Sequence, residues 1–361
     1  MNLLRTIFLI TLYSSISANS TKASINRHYT CEEKVGQMFL VSGYFKPSPI
    51  TGGVLLYSYN FRKDLYRFQV KNTINELKES VTIPPFIAID QEGGEIQRLK
   101  GENEFTEVLS HKEIGEKDST TLAYVYGRII GEELSSVGIN WNFGTVLDLN
   151  TNIQNPVIAK RDRSFGTKTR RVTDLGYAML RGQSEQNIIT TLKHFPGHGD
   201  TSTDSHTDLA FVNKTKQELE SNELKPFLNI LKKDYILPTV MMGHITIPQV
   251  LGQDSLPASL SREIVTGWLR KSYDFNGLIV TDDLNMKAIS DYYGKNEAVE
   301  LAIKAGNDVL ILGALNTQAQ LDLANYLCKK RTNDRLLKRE IESSFNRILL
   351  YKEKYGLLKN Q

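Results

Sequence analysis

The feature that most constrains this chain is a set of eight short runs rich in Val, Ile, Leu and aromatic residues, separated by longer segments of helical periodicity. The runs lie at Gly36–Ser42, Gly53–Ser58, Pro85–Asp90, Ile139–Asp148, Ile188–His194, Pro238–His244, Gly277–Asp282 and Asp308–Gly313. Most do not alternate apolar with polar residues. A strand reads that way when neither face meets water, as in a parallel sheet covered by helices. Between the runs, Asp64–Glu79 places Leu65, Phe68, Ile74 and Leu77 close to one helical face. Thr120–Ser136, Thr167–Gln186, Lys216–Lys232 and Asn296–Ala305 carry similar patterns, and the amphipathic segment Arg335–Tyr355 closes the chain. Eight strands, each followed by a helix or long loop, are the count of an α/β fold of the (β/α)8 TIM-type barrel class. A doubly wound open sheet shares that periodicity. No Ser/Pro/Gly-rich linker, composition shift, low-complexity tract or short-period repeat divides the chain, so a single domain over 31–355 is expected.

At 361 residues the chain can bury a full core without staples. Its 44 Lys and Arg against 41 Asp and Glu leave a net charge of +3, which argues against a nucleic-acid binder. The two cysteines, Cys31 and Cys328, rule out a disulfide-dense scaffold and a Cys-based zinc module. They could form one bond in an oxidising compartment, which spacing does not decide. The first residues differ from the rest. A basic start at Arg5, an apolar run from Thr6 to Tyr13 and small residues at Ser14–Ala18 follow the order of a secretory signal. Residues 1–18 are therefore expected to be a signal peptide, and the mature protein to be exported, periplasmic or secreted. It would be cytoplasmic if that segment is not a signal. The run is shorter than the about 20 residues a permanent span needs, so no stable membrane insertion is expected.

Chemistry concentrates in one loop. Three of the six histidines, His194, His198 and His206, fall within thirteen residues, accompanied by Asp200, Asp204 and Asp208. The stretch starts at the end of the fifth predicted strand, where a barrel places its active-site loops. His198 with His206 could ligate a catalytic metal. Alternatively, Asp204 could orient His206 for general acid/base work near neutrality. Local spacing leaves the two about even. Two further strand ends favour acid/base chemistry. Gly277-Leu-Ile-Val-Thr-Asp-Asp283 ends in adjacent carboxylates, and Phe86-Ile-Ala-Ile-Asp-Gln-Glu-Gly-Gly94 ends in Asp90 and Glu92. Carboxylates are costly at the end of a buried strand without a partner or a task. Asp282, last in its strand, is expected to aim inward or upward, and Asp283 to cap the following helix.

Asp90-Gln-Glu-Gly-Gly94, Arg163-Ser-Phe-Gly166, Lys193-His-Phe-Pro-Gly-His-Gly199, Asp204-Ser-His206 and Val280-Thr-Asp-Asp-Leu284 resemble glycoside hydrolase family 3. Within it they resemble the β-N-acetylglucosaminidase branch of bacterial peptidoglycan recycling. The motifs keep the family's order and span roughly Gly36 to Gly313, and the histidine loop is the most specific of them. The resemblance implies a TIM-type barrel, no cofactor or metal, and a saccharide substrate containing GlcNAc, as in muropeptides or chitin-like oligomers. It implies Asp282 as nucleophile and the pair Asp204 and His206 as acid/base. It also implies Lys193, His194, Asp90, Arg98 and Arg163 as substrate-binding residues. A monomer is expected. Competing readings are a β-glucosidase of the same family, a metal-dependent hydrolase and a non-catalytic saccharide binder. Phosphate could also replace water as acceptor. Glu95 departs from the family, standing where relatives often carry a basic residue.

Overall fold

Eight parallel strands wind into a closed barrel in the computed structural model of the protein, which describes residues 28–42, 46–61, 66–101, 104–203, 209–233, 236–252, 256–313 and 315–358. The strands are β1 (Phe39–Ser42), β2 (Gly53–Leu56), β3 (Phe86–Ile89), β4 (Trp141–Val146), β5 (Ile189–Phe195), β6 (Thr239–Met242), β7 (Ile279–Asp283) and β8 (Val309–Leu312). Each pairs with its neighbour in sequence, and β1 pairs with β8 in the register Phe39↔Leu310, Leu40↔Ile311, Val41↔Leu312. That last pairing decides for the barrel over the open sheet. Every residue of these strands is buried except Asp282 and Asp283. The absence of alternation thus reflects helices outside and packed side chains inside. Phe86, Trp141 and Phe143 form an edge-to-face series with centroids 4.9 and 5.1 Å apart. The Trp141 indole donates to Thr191 Oγ1 at 2.7 Å, so its one polar atom stays satisfied in the core.

The helices follow the expected pattern with three corrections. The first predicted strand starts too early, because Cys31–Gln37 is a helix. Thr30 and Glu33 form a reciprocal capping box there, and β1 begins only at Phe39. The predicted Lys216–Lys232 helix is two, Lys216–Ser221 and Lys225–Leu231, with Pro226 in the first turn of the second. Proline lacks the N–H that a continuous helix would need there. In Arg67–Glu79, Val70 and Ile74 are buried while Phe68 is 62% exposed, so Phe68 leaves the predicted face, and Leu65 lies outside the described residues. The helices His111–Lys117, Glu263–Ser272 (a π-helix) and Thr317–Lys330 were not expected. In the outer layer Thr120–Val137 packs backbone to backbone against Thr169–Ser184, where Gly127 faces the Met179 carbonyl and Gly182 faces that of Tyr124.

Cys31 and Cys328 are joined in a disulfide, which the spacing alone had left open. No described helix is long and apolar enough to cross a membrane. The expected signal segment, residues 1–18, lies outside the described residues.

Candidate active site

The C-terminal ends of β3, β4, β5 and β7 bring the acidic and basic side chains to one end of the barrel. Regular pairing lapses there: register shifts occur between Asn142 and Thr145, between Leu192 and Phe195, and between Val280 and Asp283. Such irregularities re-aim side chains that a straight strand would point into the core or the helix layer. Two cis peptide bonds, Lys193–His194 and Phe195–Pro196, fall in the same stretch. A cavity of about 260 Å³ opens at this end of the barrel, lined among the described residues by Asp90, Arg98, Arg163, Lys193, His194 and Asp282 with others. It is smaller than the roughly 300–1,000 Å³ typical of drug-sized ligands, which suits one small polar ring.

One wall is a chain of alternating charges. Lys193 Nζ lies 2.8 Å from Asp90 Oδ1 and 2.7 Å from Glu92 Oε1. Arg98 Nη2 reaches Asp90 Oδ2 at 3.3 Å. Arg163 clamps Glu92 in a two-pronged contact, Nε to Oε2 at 2.9 Å and Nη2 to Oε1 at 2.8 Å. Burial alone would raise both carboxyl groups, but the cations win. Lys193 and Arg98 bring Asp90 below its ordinary value, and Arg163 with Lys193 holds Glu92 well below the carboxylate range. The wall therefore keeps its charges at neutral pH, and each ion is compensated as a buried ion must be. Donors and acceptors interleaved at this spacing suit vicinal hydroxyl groups, each of which gives one proton and accepts another.

Behind this wall, a fully buried Asp148 organises the histidine loop. Its Oδ2 accepts from the backbone N–H of His194 at 3.1 Å and meets His194 Nδ1 at 2.7 Å, while Oδ1 accepts from the backbone N–H of His198 at 2.6 Å. Burial would raise Asp148, yet the neighbouring imidazole and these donors lower it. A carboxylate at Nδ1 fixes the proton there and turns Nε2 of His194 towards Arg163 Nη2, 3.4 Å away. His198 is buried, with Nδ1 2.8 Å from Thr201 Oγ1, and burial together with His194 lowers its pKa to about 4. Asn155 Nδ2 donates to the His198 carbonyl at 2.7 Å and to that of Thr201 at 3.0 Å, pinning the start of the loop.

The adjacent acids on β7 separate by their contacts. Asp283 Oδ1 accepts from the backbone N–H of Asn285 at 3.0 Å and from that of Gly313, at the end of β8, also at 3.0 Å. It thus ties a turn to the next strand and does not cap the following helix, Lys287–Ser290, whose N-cap is Met286. Both acids line the cavity, and Asp282 Oδ1 accepts the Asp283 N–H at 2.9 Å.

Six of the eight residues singled out from sequence, Asp90, Arg98, Arg163, Lys193, His194 and Asp282, meet around one cavity. The other two, Asp204 and His206, lie outside the described residues, and with His206 goes the His198–His206 metal pair. Among the described residues, the one group able to gather on a metal is Cys31, Glu32 and Cys328, whose cysteines are already joined. Sequence reasoning missed Asp148 as the anchor of the histidine loop and Glu92 as the clamp on Arg163. The signal existed for both. Asp148 closes the fourth predicted strand as Asp90 closes the third, and Glu92 stands two residues beyond Asp90.

The family profile described as "Glycosyl hydrolase family 3 N terminal domain" matches residues 30–350. Beta-hexosaminidase A of Pseudoalteromonas piscicida is 33% identical over 324 residues, covering 84% of this chain and 53% of that protein, so the chain spans about half of its length. The beta-hexosaminidase of Actinobacillus pleuropneumoniae serotype 3 is 33% identical over 269 residues, 73% of this chain and 74% of its own. A glycoside hydrolase family 3 beta-N-acetylglucosaminidase from Paenibacillus sp. superposes with a TM-score of 0.84 at 33% identity, over 91% of this chain and 63% of that one.

Proposed function

The chain belongs to glycoside hydrolase family 3, and from that premise we propose that it is an exo-acting β-N-acetylhexosaminidase. It removes terminal β-linked GlcNAc from peptidoglycan fragments or chitin-like oligosaccharides. One observation carries this reading: Asp90, Arg98, Arg163, Lys193, His194 and Asp282 surround a single cavity of about 260 Å³ at the C-terminal end of the barrel. A pocket of that size takes one terminal unit and leaves the remainder of the saccharide outside. The hexosaminidases among its relatives support the choice of sugar.

Hydrolysis proceeds with retention. Asp282 attacks the anomeric carbon while His206 protonates the departing glycosidic oxygen, giving a glycosyl-enzyme ester. Neutral His206 then takes a proton from water, whose oxygen displaces Asp282 and releases the sugar. Asp204 holds the imidazole and stabilises its protonated form. An imidazole base is uncharged in the second step and so does not repel the carboxylate beside it, and its acid form is attracted to Asp282 in the first. Asp90, Arg98 and Lys193 grip the far hydroxyls of the ring, and His194 offers Nε2. The enzyme works as a monomer without a cofactor. It is exported, a reading supported by the basic-apolar-small order of residues 1–18 and by the Cys31–Cys328 disulfide, since such bonds persist in oxidising compartments.

The test is release of nitrophenol from the β-GlcNAc and β-glucose aryl glycosides, each with and without a chelator. Cleavage of the GlcNAc compound, indifferent to the chelator and at least tenfold above the glucose compound, is the expected result. Preference for glucose would make the chain a β-glucosidase. Loss of activity to the chelator would replace the acid/base roles with a metal.

A further inference from the structure

The strand that carries Asp282 leaves its ladder just where the carboxylate must be aimed. Its last register pair with β6 is Thr281↔Met242, one residue short of Asp282. Towards β8 the register shifts between Val280 and Asp283. There the Leu284 N–H donates to the Ile311 carbonyl at 3.0 Å, and the Gly313 N–H donates to Asp283 Oδ1. Towards β6 an imidazole stands in for the ladder. His244, two residues beyond the end of β6 and fully buried, has Nε2 3.0 Å from the Asp283 carbonyl oxygen. No step above uses this ring, and it is not among the residues that line the cavity.

The ring is itself fixed. A carbonyl oxygen only accepts, so Nε2 carries the proton. Nδ1 lies 2.7 Å from Oγ of Ser259, a buried residue of the 3-10 turn Ala258–Leu260, and in the neutral ring that hydroxyl donates to it. Ser259 is held in turn, its carbonyl accepting from Asn307 Nδ2 at 2.8 Å. The backbone on either side of His244 is tied as well. The Gly243 N–H donates to the Phe195 carbonyl at 2.9 Å, and Ile245–Thr246 pairs in parallel with Ala210–Phe211. With a partner at each nitrogen and a tethered backbone, the imidazole bridges the ends of β6 and β7 as a rigid strut. Supporting contacts of that kind set the direction of a reacting group.

We propose that His244 is a positioning residue for the nucleophile: by holding the Asp283 carbonyl, it fixes the backbone from which Asp282 is aimed at the anomeric carbon. This rests on the reading of Asp282 as nucleophile above. Asp282 Oδ1 accepts the Asp283 N–H, so the aim of the carboxylate follows the peptide that joins the two acids. Contacts from β8 alone would hold that peptide from one side, and His244 supplies the other. Attack needs the reacting atoms about 3–3.5 Å apart, and a misplacement of about 1 Å costs on the order of a hundredfold in rate. Bond formation to Asp282 is common to every substrate, whereas the proton from His206 matters most for poor leaving groups. Loss of the strut therefore slows formation of the glycosyl-enzyme by one factor whatever the leaving group, and leaves the grip on the terminal sugar intact.

The test compares wild type, His244→Asn, His244→Gln and Ser259→Ala in the full chain. Gln reaches as far as Nε2 and still donates to the Asp283 carbonyl, whereas Asn ends near Nδ1 and does not. The readouts are kcat/KM for the dinitrophenyl and phenyl β-glycosides of GlcNAc, a good and a poor leaving group, and the inhibition constant of free GlcNAc. His244→Asn is expected to lower kcat/KM about tenfold or more, equally on both glycosides, with GlcNAc inhibition within about twofold of wild type. His244→Gln should recover most of the loss. Ser259→Ala, which releases the ring at Nδ1 only, should show the same pattern at smaller size and decides the matter if His244→Asn does not fold. Wild-type rates in His244→Asn, equal damage in His244→Gln, a loss confined to the phenyl glycoside, or GlcNAc inhibition weakened in step with the rate overturns the positioning role while leaving the proposed function standing. A wild-type protein inert on both glycosides, or one whose activity survives Asp282→Asn, overturns the proposed mechanism and the positioning role with it.

Discussion

Asp282 and Asp283 are neighbours of one chemical type, and in sequence only motif order and their place at the end of a strand set them apart. Their surroundings assign them different tasks. Asp283 spends Oδ1 on two backbone N–H groups, one of them Gly313 on the adjacent strand, and so holds two strand ends together. Both acids line the cavity, but Asp283 does so with Oδ1 already committed to those two backbone groups. Asp283→Ala is therefore expected to cost about 1–3 kcal/mol of stability, since it leaves two donors unpaired in a partly buried turn. Asp282→Asn keeps the Oδ1 acceptor for the Asp283 N–H and should leave stability within about 0.5 kcal/mol of wild type while abolishing turnover. Urea titration with assay of the same preparations reads both effects, and a stable but inactive Asp283→Ala would reverse the assignment. Residue chemistry was otherwise legible where an acid or histidine closes a strand. For Asp148 and Glu92 the strand-end position was legible but the task was not, because it comes from partners 46 and 71 residues away in sequence. Neither separation leaves a local trace.

Elements were legible wherever burial imposes a period. All eight predicted strands exist, most of them shorter than the apolar runs, because a run continues into the turn when the turn is also buried. Helices failed where a cap or a break outweighs the stripe, as with the Thr30–Glu33 box and Pro226. The glycines of the pair Thr120–Val137 and Thr169–Ser184 fall outside both signals. A β-carbon at position 127 would fall within contact of the Met179 carbonyl, and one at 182 would meet the Tyr124 carbonyl. These glycines let two helices approach backbone to backbone in the layer outside β4 and β5, the strands that lead to Asp148, Lys193 and His194. Gly127→Ala improves helix propensity by about 1 kcal/mol yet must push the helices apart, which typically costs about 1–3 kcal/mol. A net loss of stability in urea is the expected outcome. A gain would mean that the helices can separate freely and that their spacing does not support the strand ends.

At the scale of the whole molecule, closure is the property periodicity could not decide. A local pattern says that strands are buried on both faces but not that the first meets the last. Here the first and last described elements of the barrel are tied three times. β1 pairs with β8, Lys352 Nζ of the final helix donates to Gln37 Oε1 at 2.6 Å and to the Gly52 carbonyl at 3.0 Å, and the disulfide joins Cys31 to Cys328. The disulfide spans a sequence separation of 297, nearly the whole barrel. A cross-link of that reach restricts the unfolded chain far more than the folded one, a stabilisation of about 5–6 kcal/mol in the chain-entropy account. Both cysteines lie in helices that meet beside the start of β1, at the end of the barrel away from the cavity. Cys31→Ser combined with Cys328→Ser should therefore lower the stability of the protein by that amount in urea and leave kcat/KM at 25 °C within twofold of wild type. Unchanged stability would show that the cross-link does not restrict the unfolded chain as the chain-entropy account requires. Loss of activity in a folded double variant would show that closure at one end of the barrel governs the geometry of the other.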